Sequence, residues 1–92
     1  MVDESIWVEE RVVVKSVQGL HARPARMLWE KARRFVAQVR IAKGRLDVDA
    51  KSIFDIMTLD ATAGTELTVR ARGRDAREAV QALVRLISSE LD

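Results

Sequence analysis

Ninety-two residues, 48% apolar and 33% charged, suit one soluble globular domain built on a single core and leave no room for a second. The formal net charge of +2, with two Trp, two Phe and no Tyr, argues against a nucleic-acid binder, which needs a stronger basic bias and aromatic platforms. The absence of cysteine removes disulfides and thiol chemistry, and one histidine argues against a zinc site, so neither metal nor cofactor is expected.

No apolar run approaches the ~20 residues that cross a bilayer. The acidic start, Met1-Val2-Asp3-Glu4, has no hydrophobic segment behind it, so no signal peptide is expected and the chain is assigned to the cytoplasm. Residues 1–5 read as a loose extension of a single domain spanning 1–92. Ile6 to Val14 alternates as a strand, with Ile6, Val8, Val12 and Val14 on one face and Glu10 the exception. A turn at Gly19 follows, then a helix from about Ala22 to Arg34 whose stripe is Ala25, Leu28, Trp29, Ala32 and Phe35. Val36–Lys43 and Leu46–Ala50 form a hairpin about Gly44-Arg45, a type II′ signal, placing Ile41 opposite Val48 and Val39 opposite Ala50 on the core side.

Ser52 opens a short helix, with Asp55 completing a variant capping box. Ile53, Ile56, Met57 and Leu59 are its apolar residues. Glu66 to Arg72 alternates as a strand with Leu67, Val69 and Ala71 inward, and Gly73 ends it. Asp75 caps a last helix running to about Leu91 along Ala76, Ala79, Val80, Leu83, Val84 and Ile87. The order is βαββαβα. Strands with one polar face suit an antiparallel sheet covered on one side, which defines a two-layer α+β open sandwich.

The chemistry concentrates in Gly19-Leu20-His21-Ala22-Arg23-Pro24-Ala25-Arg26, which holds the sole histidine and the sole proline. Proline lacks a backbone donor and is tolerated in a helix's first turn, so a helix must begin close to His21. The imidazole would then lie among unpaired backbone N–H groups at the positive end of the helix, an anion site containing a nucleophile. Arg23 adds a guanidinium suited to phosphate. Taken singly, His21 and Ser52 would be ordinary caps, Arg23 a solvated charge, and Phe54, Met57 and Trp29 core.

Together, these residues resemble the histidine-containing phosphocarrier (HPr) family of the bacterial phosphotransferase system. Gly-Leu-His-Ala-Arg-Pro-Ala at 19–25 matches its active-site motif. Lys51-Ser52-Ile53-Phe54 with Ile56-Met57-Thr58-Leu59 matches its second motif, and the likeness covers about residues 6–91. The resemblance implies that the protein is a carrier rather than an enzyme. His21 accepts a phosphoryl group on Nδ1 from phosphorylated enzyme I and passes it to an acceptor domain of the sugar-uptake or a regulatory branch, while Arg23 contacts the phosphate. It further implies that Ser52 is a regulatory site for an HPr kinase, and that Ala22, Arg26, Ile53, Phe54 and Met57 form the partner surface of a monomer. Asp55 and Arg26 depart from familiar members, which have glycine or lysine and a small or hydroxyl residue there.

Two other classes compete. Val17-Gln18-Gly19-Leu20-His21-Ala22-Arg23 echoes the phosphate loop of acylphosphatases, but those enzymes position water with an asparagine, and this chain contains none. A regulatory module that binds partners without carrying phosphate is the third class; relatives of that kind lack the histidine that is present here.

Overall fold

The computed structural model describes residues 3–89. Strands β1 (Val8–Val13), β2 (Gln38–Lys43), β3 (Leu46–Asp49) and β4 (Glu66–Arg72) form one sheet in the order β1-β4-β2-β3, every adjacent pair antiparallel. Helices α1 (Ala22–Ala32), α2 (Ile53–Thr58) and α3 (Ala76–Ser88) cover one face. Each strand–helix–strand passage skips one strand, so β4 fills the space between β1 and β2, and β2 the space between β3 and β4. The open sandwich expected from the sequence is the one found.

Period-two alternation explains the sheet. Leu67, Val69 and Ala71 of β4, Val39 and Ile41 of β2, and Val12 and Val48 at the flanks point into one core, met by Leu28 from α1, Ile56 from α2, and Ala79, Val80, Leu83 and Ile87 from α3. Each Val, Leu or Ile among them contributes about 1.5–3 kcal/mol on burial. The hairpin register is as expected: Ile41 faces Val48, and the Ala50 amide donates to the Val39 carbonyl at 2.9 Å. Gly44 has φ +59° while Arg45 keeps an ordinary negative φ, the type II′ arrangement. The uncovered face is polar and internally paired, with Arg70 between Glu9 and Asp47, and Arg40 on Asp47.

Several boundaries differ from the sequence reading. Ile6 is neither in β1 nor buried. β4 stops at Arg72, so a residue two places before Val8 has no rung to pair with, and Ile6 instead closes a turn on the Asp3 carbonyl. β2 begins at Gln38 rather than Val36, because the Val36 and Ala37 amides donate to the Asp75 carboxylate at 2.9 and 2.8 Å. Asp75 therefore does not cap α3 with its side chain, although it occupies the N-cap position. Helix α1 ends at Ala32, not Arg34, and α3 at Ser88; Leu91 lies outside the described residues.

Candidate functional site

His21 is the N-cap of α1, with extended backbone (φ −86°, ψ −163°), and its carbonyl accepts the first helical hydrogen bond, from the Ala25 amide at 2.9 Å. Its side chain makes no capping bond and is exposed. Pro24 is the third helical residue, where a missing N–H removes nothing, and it is buried with Ala25 and Leu28. The amides of Ala22 and Arg23 thus open α1 without intrahelical partners, and no acidic residue occupies the first turn. An anion arriving at His21 meets donors and an exposed arginine, with no carboxylate in that turn.

The loop before His21 is held from behind. Gly19 has φ +72°, and a β-carbon there would stand 2.5 Å from the Ala61 carbonyl oxygen. The Leu20 amide donates to that oxygen at 2.8 Å, and the Gly19 amide to the Ser16 carbonyl at 3.0 Å. Leu20 and Ala61 are both buried. Gly19 therefore serves a close backbone approach as well as the turn read from sequence.

Helix α2 packs against α1 and is tied to it at both ends. The Trp29 indole N–H donates to the Lys51 carbonyl at 3.1 Å, just before α2, and the Leu20–Ala61 bond lies just after it. The C-terminal end of α2 is thus on the His21 side, while its N-cap Ser52 lies toward the C-terminal part of α1, beside Trp29. Trp29 is half-buried, with Arg33 stacked 4.4 Å from its ring centroid.

Ser52 is the N-cap of α2, and its hydroxyl oxygen accepts a long bond from the Asp55 amide at 3.4 Å. The expected capping box is not closed: the Ser52 amide donates to the Asp49 carbonyl instead of the Asp55 carboxylate. Phe54 is 76% exposed and Met57 40%, while Ile53 is half-buried against the core. Arg26 donates from Nε to Glu30 at 2.9 Å, one turn further along α1, which pairs its charge rather than leaving it for an anion at His21. Ala22 is exposed. Val17, weighed in the sequence only for its echo of the acylphosphatase loop, is 79% exposed on the loop before His21; the alternation of Val12, Val14 and Ser16 inward, carried past the strand, puts it outward. Among the described residues no cluster of His, Cys, Asp or Glu could hold a metal ion, and no helix is long and apolar enough to cross a membrane.

The chain is thus a small open sandwich that carries an exposed imidazole at the N-terminal end of α1. The family model described as the PTS HPr component phosphorylation site matches residues 8–89, and the chain belongs to that HPr family. It is 38% identical over 84 residues to the HPr-like protein Crh of Bacillus subtilis, covering 91% of this chain and 99% of that one. The solved phosphocarrier protein HPr of Bacillus anthracis superposes with a TM-score of 0.87 at 40% identity, covering 90% of this chain and 99% of that one. A structure of Bacillus subtilis Crh, a domain-swapped dimer, gives 0.71 at 39% identity over 87% and 92%. The family's HPr members are phosphocarriers of the phosphotransferase system and not enzymes, which sets the acylphosphatase alternative aside, while its Crh members are not carriers.

Proposed function

We propose that His21 is the phosphoacceptor of this chain, taking a phosphoryl group from phosphorylated enzyme I and delivering it to an acceptor domain of the phosphotransferase system. The observation that carries this reading is the exposed imidazole at the α1 N-cap, free of any capping bond and with no acid in the first turn. Phosphoryl transfer asks the protein mainly for an aligned nucleophile and positive charge at the equatorial oxygens. The neutral imidazole supplies the first, through Nδ1 in line with the family. A nitrogen–phosphorus bond forms as the donor's bond to phosphorus breaks, and the reverse exchange delivers the group onward. The amides opening α1 and the Arg23 guanidinium balance the phosphate charge. An open site suits a carrier, which must release what it binds.

Phe54 and Met57, with Ile53, Ala22 and Arg26, form the docking surface in this reading; exposed apolar side chains beside a charged rim are the anatomy of a transient interface. Ser52 is the regulatory position, addressed by an HPr kinase. In this reading the chain acts as a monomer in the cytoplasm.

Incubation with enzyme I and labelled phosphoenolpyruvate tests this. Wild type acquires acid-labile label and His21→Ala acquires none; label persisting in the variant places the acceptor elsewhere. A wild type that binds phosphotransferase partners yet takes no label favours the non-carrier regulatory module. ATP and the kinase yield acid-stable label that Ser52→Ala abolishes, and no seryl phosphate on the wild type removes that role.

A further inference from the structure

We propose that Lys43 is a positioning residue for His21, acting from the far end of β2 through the α2–β4 connection. Lys43 is the last residue of β2, paired with Leu46 across the hairpin and one residue beyond the last rung with β4, Ala42–Thr68. Its ammonium crosses to the end of α2 and donates to the Leu59 carbonyl at 2.8 Å and the Asp60 carbonyl at 3.2 Å. Both acceptors follow the last turn of a helix, where carbonyls lack intrahelical partners and a lysine binds them favourably. Between them the chain turns through Asp60 at φ +47°, a left-handed conformation that aspartate tolerates better than most residues but still at some cost.

The next residue is Ala61, and its carbonyl is the surface on which the active loop rests. It accepts from the Leu20 amide at 2.8 Å and lies where a β-carbon on Gly19 would collide with it. The path thus runs from the sheet, through the Lys43 ammonium, to the carbonyls of Leu59 and Asp60, to Ala61, to Leu20 and to the adjoining His21. Beyond the Lys43 side chain itself, every link is a hydrogen bond or one or two peptide units. Without the ammonium, two carbonyls at the end of α2 lose their donor, the Asp60 turn is free to relax, and Ala61 shifts against Gly19 and Leu20. The imidazole then samples a wider range of positions relative to the α1 amides. Misplacing a reacting group by about 1 Å can slow a reaction by up to about 100-fold, so a modest loosening is felt in transfer.

The consequence for transfer rests on the phosphocarrier reading, whereas the mechanical link does not, so the experiment measures both. Lys43→Met, Lys43→Gln and Lys43→Arg are compared with wild type in three ways: hydrogen exchange at the Leu20 amide against that of Val69 in the sheet, the His21 ring resonances through a pH titration, and kcat and KM for transfer from phosphorylated enzyme I. In Lys43→Met, Leu20 exchange accelerates about 10-fold while Val69 is unchanged, a local opening rather than global loss. The His21 resonances move, and kcat falls about 5-fold with KM within about 2-fold, because the docking side chains are untouched. Lys43→Arg, which keeps a charged donor, restores most of both effects. If Lys43→Met proves too unstable to study, the milder Lys43→Gln, retaining one neutral donor, carries the same comparison.

Unchanged Leu20 exchange in a folded variant overturns the proposal. So does faster exchange with no change in kcat, which leaves the carrier function intact. If wild type takes no phosphate from enzyme I, the carrier reading fails by itself, and Leu20 exchange with the His21 resonances still decides whether Lys43 positions the ring.

Discussion

Gly19→Ala probes the contact on which the active loop depends, and Gly44→Ala supplies its control. Both glycines have positive φ, +72° and +59°, so alanine at either pays a left-handed backbone penalty of about 1 kcal/mol. They differ in their surroundings. A β-carbon at Gly44 meets nothing within 4 Å, whereas at Gly19 it would lie 2.5 Å from the Ala61 carbonyl oxygen and 3.0 Å from the Thr62 α-carbon. Neither atom belongs to a side chain that can swing away. The two loops must part, which strains packing around buried Leu20 and Ala61 and weakens the Leu20–Ala61 hydrogen bond, adding about 2 kcal/mol. Gly44→Ala is therefore expected to destabilise by about 1 kcal/mol and Gly19→Ala by about 3 kcal/mol. In a domain of this size those losses lower Tm by about 4–8 °C and about 12–24 °C respectively. Thermal unfolding followed by circular dichroism measures the pair directly. Equal losses in the two variants would refute the reasoning, because they would show that the approach of Ala61 imposes nothing beyond the backbone conformation.

Asp75 gives a pH prediction with a definite sign. Desolvation alone would raise its pKa, but hydrogen bonds from the amides of Val36, Ala37 and Asp75 itself, with the Arg74 charge, outweigh it and hold the carboxyl below its ordinary value. A carboxyl depressed in the folded state stabilises above its unfolded value, about pH 4, and that stabilisation disappears as pH falls through the folded value. Asp75→Asn should lower stability at pH 7 by about 1–2 kcal/mol, through the loss of charge-assisted bonds to two amides, with the gap from wild type narrowing below about pH 4. Denaturant unfolding across pH 2–7 checks this, and a constant gap counts against it. Phe54→Ala should leave stability within about 0.5 kcal/mol, since the ring is 76% exposed, yet weaken binding to enzyme I about 10-fold or more if the ring anchors docking. Titration calorimetry beside a thermal scan separates the two effects, and unchanged affinity removes Phe54 from the interface.

Local information accounts for most of what could be read in the chain itself. Alternation at Leu67, Val69 and Ala71, the helical stripe of Ala25, Leu28 and Ala32, the glycine of the hairpin and the proline behind His21 each act within a turn or a rung. Their meaning survives without knowledge of distant partners, so the order of elements, the register of the hairpin and the start of α1 at His21 were all legible. Helix α2 marks the limit of such reading. Six residues make fewer than two turns, too few for periodicity to separate inward from outward positions, so the residue pattern reads Phe54 and Met57 as core, and it is the family resemblance that puts them on the surface where α2 leaves them exposed.

What tertiary structure alone decided involves polar groups that reach across the fold. Asp75 has the sequence of a helix cap, yet its carboxylate serves amides 38 and 39 residues away. Lys43 and Lys51 look like solvated strand-end charges and instead donate to carbonyls beyond the ends of α2 and α1, Lys51 to that of Phe35. Ile6 has the alternation of a strand residue, but β4 is too short to receive it. The physical reason is common to the three polar cases. A backbone donor or acceptor away from water must find a partner wherever the folded chain supplies one, and a side chain's nearest neighbours in space are fixed only after the loops between them have closed.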